Sequence, residues 1–354
     1  MKIARRAFLA SAASLMPMCL SLSVPCDAMT RKKHGIGNGL CGSQSLAHDY
    51  LSLESGIGAE AEDWHALQHT IDLILIRIQP TLARYEMREL TRIHAVVVLN
   101  EIGEAINKEG FRMTDRSTLL FESIRTKLIA CHYAAALIFS VGEQIGLPLL
   151  MVKVPCHVFL RLRLGDGKQL NWDVYLEDNG INTEDSQYKR LFNFDNETAK
   201  RAGYLRQLTQ AEMMALECNA IGAAWKAKDQ FDRAIDNFSM ALALDPKFPE
   251  AYKNRGLVRC QQAACMMPDE PLRRDQLNSA VADLNEAVRL YPRYAEALYH
   301  LGVAHFALND VDSARICLQA AINLEPAYMR SKLSSALSER SVNPEFQKTL
   351  SSNP

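Results

Sequence analysis

One spacing recurs three times in the last third of the chain, and it constrains the fold more than any other feature of the sequence. Each unit has a glycine, two alanines and a closing proline: Gly222, Ala234, Ala241 and Pro246, then Gly256, Ala280, Ala287 and Pro292, then Gly302, Ala314, Ala321 and Pro326. Glycine and first alanine are 12 residues apart in the first and third units and 24 apart in the second, which therefore carries an insertion around residues 266–271. A period near 34 residues with small residues at fixed positions is typical of stacked helix pairs.

The first unit resembles the tetratricopeptide repeat in nearly every position that defines that family. The residues that carry the resemblance are Gly222, Trp225, Phe231, Ala234, Phe238, Ala241 and Pro246. Thr209 and Glu212 have the spacing of a capping box and predict where the first helix begins. The third unit departs by placing His305 and Leu318 where aromatic residues are usual. The resemblance implies an all-α solenoid of three repeats with a capping helix over residues 209–340, a tail over 341–354, and a bound protein or peptide as partner.

The amino terminus has the composition of an export signal over residues 1–28. Three basic residues, Lys2, Arg5 and Arg6, precede an apolar stretch, and Ala28 offers a small residue before a cut. Arg5 and Arg6 also resemble a twin-arginine signal. An uncleaved membrane anchor is the alternative, disfavoured by the proline at position 17 and by the short apolar run. A periplasmic or secreted protein is predicted, with no membrane insertion beyond the signal.

Charge and cysteine spacing exclude several classes of function. A net charge of −1 argues against a nucleic-acid partner, because binding phosphates needs a basic excess. The nine cysteines are irregularly spaced, and no pair has the spacing of zinc ligands. Neither a metal nor a cofactor is predicted.

The residues between the signal and the repeats divide into two parts. Residues 29–62 lack periodicity at their start and are predicted to be a flexible linker; Cys41 lies there with no fixed base beside it. Residues 63–205 are predicted to form an α+β domain. Helical periodicity leads to a long apolar helix that ends at Gly146. A buried strand over 149–154 and a hairpin around residues 165–167 then predict a small antiparallel sheet.

Three residues of this domain are candidates for chemistry: Cys131, His157 and Asp173. Cys131 is predicted at the beginning of the apolar helix, where the helix dipole favours a thiolate. The two hairpin strands bury their apolar faces together only if Asp173 lies opposite Phe159 and diagonal to His157. That arrangement predicts a nucleophile, a base and a carboxylate that orients the base.

The order Cys, His, Asp and its local sequence resemble the transglutaminase-like (papain-type) cysteine protease superfamily over about residues 90–195. The text that carries the resemblance is Cys131 on a helix, Gly146-Leu147-Pro148 after it, Val154-Pro155-Cys156-His157-Val158-Phe159-Leu160-Arg161, and Asn171-Trp172-Asp173. It implies a papain-like fold and a cysteine hydrolase or peptidase acting at amide bonds, with the repeats recruiting a partner or substrate. The sequence departs from the usual glycine-containing approach at residues 127–130.

Other interpretations of these residues stay open. A cysteine in an apolar helix is often simply a core residue, and a protein-binding scaffold with a vestigial triad is the alternative function. Neighbours on a helix point about 100° apart, so His132 is a poor base for Cys131 and is interpreted as structural. Cys156 faces away from His157 on its strand, while Asn171 is a possible substitute for Asp173 as the orienting residue.

Overall fold

Helices surround a three-stranded antiparallel sheet in the first half of the chain. The computed structural model describes residues 45–86, 89–114, 118–173, 184–267 and 270–326. The elements of the first half are α1 (Leu46–Glu54), α2 (Ala61–Leu82), α3 (Arg92–Lys108), β1 (Arg112–Met113), α4 (Leu120–Thr126), β2 (Leu128–Ile129), α5 (Cys131–Ile145), β3 (Leu149–Val154), β4 (His157–Arg163), β5 (Gln169–Trp172), α6 (Asp185–Leu191) and α7 (Asn196–Ala202). Strands β1 and β2 form a separate short parallel pair.

The sheet has the order β3-β4-β5, and its register is the one that the apolar pattern predicts. Leu160 pairs with Trp172 and Leu162 with Leu170, so the apolar side chains of β4 and β5 share one face. A tight turn joins β3 to β4, because Val154 pairs directly with His157. The predicted buried strand over 149–154 and the predicted hairpin are both confirmed up to residue 173, where the described part of β5 ends.

The linker prediction is wrong for residues 45–62. Helix α1 lies inside this range, and Tyr50 and Leu51 are fully buried there. The Tyr50 hydroxyl donates a 2.9 Å hydrogen bond to the carbonyl of Met213, and the Ala47 N–H donates to Ser140 Oγ at 3.0 Å. Apolar periodicity does not indicate this helix, because it is short and because several of its buried residues are polar, including His48, Asp49 and Glu54. The remainder of the predicted linker and the export signal lie outside the described residues.

The second half consists of three helix pairs. Their helices are α8 (Gln210–Ala227) with α9 (Phe231–Leu244), α10 (Pro249–Ala264) with α11 (Pro271–Leu290), and α12 (Ala295–Ala307) with α13 (Val311–Leu324). Thr209 and Glu212 form the predicted capping box at the start of α8. The insertion lengthens the second pair, since α11 has 20 residues whereas α9 and α13 have 14 each. The predicted capping segment after residue 326 lies outside the described residues.

The repeated glycines mark the closest approach within each pair. A Cβ atom added at Gly222 would lie 2.7 Å from the ring of Phe238, and one at Gly302 would lie 2.7 Å from Leu318. Such separations are shorter than van der Waals contact, so only glycine permits these helices to pack. Leu318 thus fills the space of the aromatic residue that it replaces.

The hydrophobic core is continuous between the two halves. One cluster joins Tyr50 and Tyr133 of the first half to Met213, Cys218 and Phe248 of the second half. A second cluster joins the sheet and helices α6 and α7 to the turn between the second and third pairs. Within the described residues, no helix is both long and apolar enough to cross a membrane.

Candidate active site and inner face of the repeats

Cys131 is the first residue of α5, as the sequence predicts. The residue before it, Ala130, has extended backbone dihedrals and ends the approach to the helix. The side chain of Cys131 is partly exposed, whereas most of the helix behind it is buried. The first N–H groups of a helix have no partner within it and carry partial positive charge, which stabilises a thiolate at this position.

His157 and Asp173 lie on adjacent strands and contact each other directly. His157 Nε2 and Asp173 Oδ2 are 2.7 Å apart, and the two residues are 5 % and 1 % exposed. The register that pairs Leu160 with Trp172 brings Asp173 opposite Phe159 and diagonal to His157, which confirms the geometric prediction. Because Asp173 occupies Nε2, the nitrogen available to Cys131 is Nδ1.

The thiol of Cys131 and the imidazole of His157 perturb each other. Burial raises the pKa of Cys131, but the positive charge of His157 and hydrogen bonds with His132 and His157 lower it to about 5. Burial lowers the pKa of His157, whereas Asp173 and Cys131 raise it well above its usual value. Both shifts favour a thiolate–imidazolium pair at neutral pH. The structure therefore brings together all three residues that the sequence singled out.

Helix α6 supplies a residue that sequence reasoning missed. The hydroxyl of Tyr188 donates a 3.1 Å hydrogen bond to Asp173 Oδ2, and its ring stacks on Phe159 with centroids 4.2 Å apart. Phe192, one helical turn further on, stacks near the imidazole of His157 at 5.8 Å. The spacing of the two aromatic residues, 188 and 192, is the only signal of this role in the sequence, because the contacts themselves are long-range.

The other candidates have different positions. Asn171 lies opposite Arg161 in the register and hydrogen-bonds to Arg161 and Asp185, away from the position that Asp173 occupies. Cys156 lies in the β3–β4 turn with a positive φ of 56°, and burial and Glu250 raise the pKa of its thiol. Both findings agree with a structural role for Cys156.

His132 does more than its predicted structural role. Its ring packs on that of Tyr133 at 3.8 Å, and it lies close enough to the thiol of Cys131 to lower its pKa. Cys41 lies outside the described residues. Among those residues, no group of three or more His, Cys, Asp or Glu side chains could hold a metal ion.

The first helices of the three pairs lie side by side and line one face of the array. Asn254 of α10 donates a 2.9 Å hydrogen bond to Asn219 of α8, and Lys253 of α10 forms a 3.3 Å ion pair with Glu296 of α12. These side chains are only partly buried. The face consequently offers amide and charged groups from all three helices, and we refer to it as the inner face.

Comparisons with known proteins agree with this architecture. The family model of the tetratricopeptide repeat matches residues 271–329. The matched residues belong to the second and third helix pairs, and the first pair repeats their spacing of glycine, alanine and proline. The Hsp70-Hsp90 organizing protein of Triticum aestivum is 30 % identical over 114 residues, which are 32 % of this chain and 18 % of that protein. The chain therefore spans less than a fifth of the length of this relative.

Solved repeat domains are similar over the same region. The first tetratricopeptide domain of Spaghetti, bound to an HSP90 peptide, is 26 % identical and covers 35 % of this chain and 94 % of its own, with a TM-score of 0.28. The OM64 domain of Arabidopsis is 17 % identical and covers 37 % and 99 %, with a TM-score of 0.31. The assignment of the first half to the transglutaminase-like superfamily stays a prediction.

Proposed function

We propose that the protein binds a polypeptide along the inner face of its repeats. The observation that supports this proposal is the set of partly buried polar side chains on α8, α10 and α12, where Asn254 bonds to Asn219 and Lys253 pairs with Glu296. The Hsp70-Hsp90 organizing protein of Triticum aestivum is similar over 114 residues. An extended peptide presents an N–H and a C=O at every residue, so side-chain amides in a row suit it as a ligand.

A selected peptide and two matched variants test this proposal. Peptides are selected on the full chain from a random phage library, and their dissociation constants are measured by fluorescence anisotropy. Asn254→Ala should weaken binding at least tenfold, about 1.4 kcal/mol. Asn237→Ala, on the second helix of the first pair, removes only a bond to the carbonyl of Arg233 and should leave affinity unchanged. Equal affinities for all three proteins would place the binding site elsewhere.

We further propose that the first half is a cysteine hydrolase acting at amide bonds. The contact between His157 and Asp173, beside a thiol at a helix start, supports this proposal. In this mechanism the Cys131 thiolate attacks the amide carbonyl and forms a tetrahedral intermediate. The His157 imidazolium gives its proton to the leaving amine as the C–N bond breaks, leaving a thioester and neutral His157. Water then attacks the thioester with His157 as base, releasing the acid and restoring the pair.

The three residues act as a unit, so their substitutions should have unequal and non-additive effects. Cys131→Ala or His157→Ala should abolish turnover. Asp173→Asn should retain some activity, because the imidazole remains but is oriented and charged less well. The measurement is hydrolysis of a panel of acyl and peptide amides, with a thermal melt of each variant. Activity that survives in Cys131→Ala would exclude this mechanism. The scaffold with a vestigial triad predicts that no substrate is turned over and that Cys131 reacts no faster than the exposed Cys265.

A further inference from the structure

The β3–β4 turn, which immediately precedes His157, is held by the repeats rather than by its own domain. The backbone N–H of Cys156 donates a 2.9 Å hydrogen bond to Oε1 of Glu250, a residue of the second repeat. The hydroxyl of Tyr204 donates to the same oxygen at 2.9 Å. Glu250 is 8 % exposed and Tyr204 is 3 % exposed, so the shared carboxylate and the phenol are buried, whereas Cys156 lies at the surface.

The ammonium group of Lys153, in β3, forms an ion pair with Asp245, just before the second repeat, and both side chains are 3 % exposed. The segment that leads into the repeats also lies along β3, where the N–H groups of Leu205 and Leu208 donate to the carbonyls of Lys153 and Met151. The hairpin that presents the imidazole is thus fixed to the array at its tip and along its outer strand.

The hydrogen bond between Cys156 and Glu250 affects the site most directly, because it stabilises the backbone conformation of Cys156. Cys156 has a left-handed conformation with φ of 56°, which a residue with a side chain rarely adopts and which is unfavourable without support. The N–H of Cys156 donates to Glu250, and the carbonyl carbon of Cys156 is bonded to the backbone nitrogen of His157. A change in the dihedrals of Cys156 therefore moves the imidazole relative to Cys131 and Asp173.

We infer that Glu250 is a positioning residue for His157, through which the repeat array sets the geometry of the thiolate–imidazole pair. Glu250 touches neither the thiol nor the imidazole, and its effect passes through the Cys156 backbone. Tyr204 supports it, because burial and the Glu250 charge raise the pKa of its hydroxyl well above the usual value and keep it a donor. This inference rests on the proposed cysteine chemistry and adds control by the repeats.

The pH dependence of Cys131 alkylation tests the inference, since a change in stability alone does not move it. Alkylation of the full chain by iodoacetamide is followed from pH 4 to pH 9 by peptide-resolved mass spectrometry, at a temperature where circular dichroism shows every variant folded. Glu250→Ala should slow alkylation of Cys131 at pH 6 about tenfold and move its midpoint to higher pH, because the imidazole no longer supports the thiolate. Glu250→Gln should restore most of the wild-type profile, since its amide oxygen accepts the same two bonds.

Asp283→Ala is the matched control. Asp283 is also buried in the second repeat, but it bonds to Arg255 and Arg259 and not to the hairpin. This variant should melt at a lower temperature and keep the wild-type pH profile. A wild-type profile in folded Glu250→Ala, or an equal shift in Asp283→Ala, overturns the inference.

A second variant covers the case in which Glu250→Ala does not fold. Tyr204→Phe keeps the ring and the Glu250 carboxylate and removes one of the two bonds to Oε1. It should slow alkylation at pH 6 about threefold, and an unchanged profile there also overturns the inference. If wild-type Cys131 reacts no faster than Cys265 at pH 6, the proposed cysteine chemistry itself fails. If wild-type Cys131 is alkylated fast and the variants keep the wild-type pH profile, only the role of Glu250 is excluded.

Discussion

The repeat array and the candidate active site are specified by different kinds of interaction. In the array, Gly222 meets Phe238 within the same helix pair, so each pair follows from residues that are close in sequence. At the active site, Cys131, His157 and Asp173 come from a helix and two strands, and the contacts that orient them come from α6 and from the array. The helix pairs are therefore specified largely by local spacing, whereas the site depends on the assembly of the whole chain.

Removal of the array is the strongest test of this difference. A chain that ends after residue 208 loses the partners of Tyr50 and Tyr133 and much of the shared core. Each large side chain left exposed costs about 1.5–3 kcal/mol, and a few of them equal a whole domain's stability of about 5–15 kcal/mol. We expect no cooperative melt by circular dichroism. A chain ending after residue 309 lacks α13, the last described helix, with the residues after it, and should keep a cooperative melt. A sharp transition in the shorter chain would show that the first half folds independently.

The ion pair between Lys153 and Asp245 tests the connection at one point. Lys153→Ala leaves a carboxylate buried without its partner and should destabilise the protein by about 3–5 kcal/mol in urea denaturation. The double variant Lys153→Met/Asp245→Leu should recover most of this loss. Lys253→Ala is the control, because its pair with Glu296 is more exposed, at 12 % and 22 %, and should cost less than about 1 kcal/mol. Equal losses of stability in Lys153→Ala and Lys253→Ala would argue against a special role for the ion pair between the sheet and the repeats.

A pair of buried carboxyl groups, one from each half, makes the stability of the protein depend on pH. Glu217 of α8 is fully buried, and burial and the charge of Glu54 raise its pKa well above the usual value. Glu54 accepts from the N–H groups of Leu120 and Phe121, and the hydroxyl of Tyr133 donates to Glu217 at 3.3 Å. The folded protein binds the proton of Glu217 more tightly than the unfolded chain does. The contribution of protonated Glu217 to the free energy of unfolding is therefore complete below about pH 4.3 and is lost as pH rises.

Glu217→Gln should remove this loss, so its melting temperature relative to wild type should rise between pH 5 and pH 8. The charge of Glu217 also acts on Tyr50 and Cys218, whose pKa values burial and this charge raise. Glu212 of the same helix is a control of opposite sign. Burial raises its pKa, but Arg206 and Thr209 lower it to about 2, so its contribution is present above about pH 4 and is lost as pH falls towards 2. A wild-type pH dependence in Glu217→Gln would exclude the carboxyl pair as its source.

The sequence was sufficient where one pattern determined the structure. The repeat spacing predicted the helix pairs, and the alternation in β4 and β5 predicted a register that brings Asp173 diagonal to His157. Sequence reasoning failed for α1, whose buried polar residues find their partners on distant elements. The roles of Tyr188 and Glu250 were equally hidden, because each depends on a contact that no local periodicity encodes.

The insertion in the second repeat has a practical use. Helix α11 is six residues longer than α9 or α13, which corresponds to about 9 Å of extra length, and its pair ends beside exposed side chains such as Met267 and Leu272. This projecting end lies opposite the turns that contact the first half, since those turns join α9 to α10 and α11 to α12. A fluorophore or affinity tag placed there should therefore report on the array while leaving the inner face and Cys131 undisturbed.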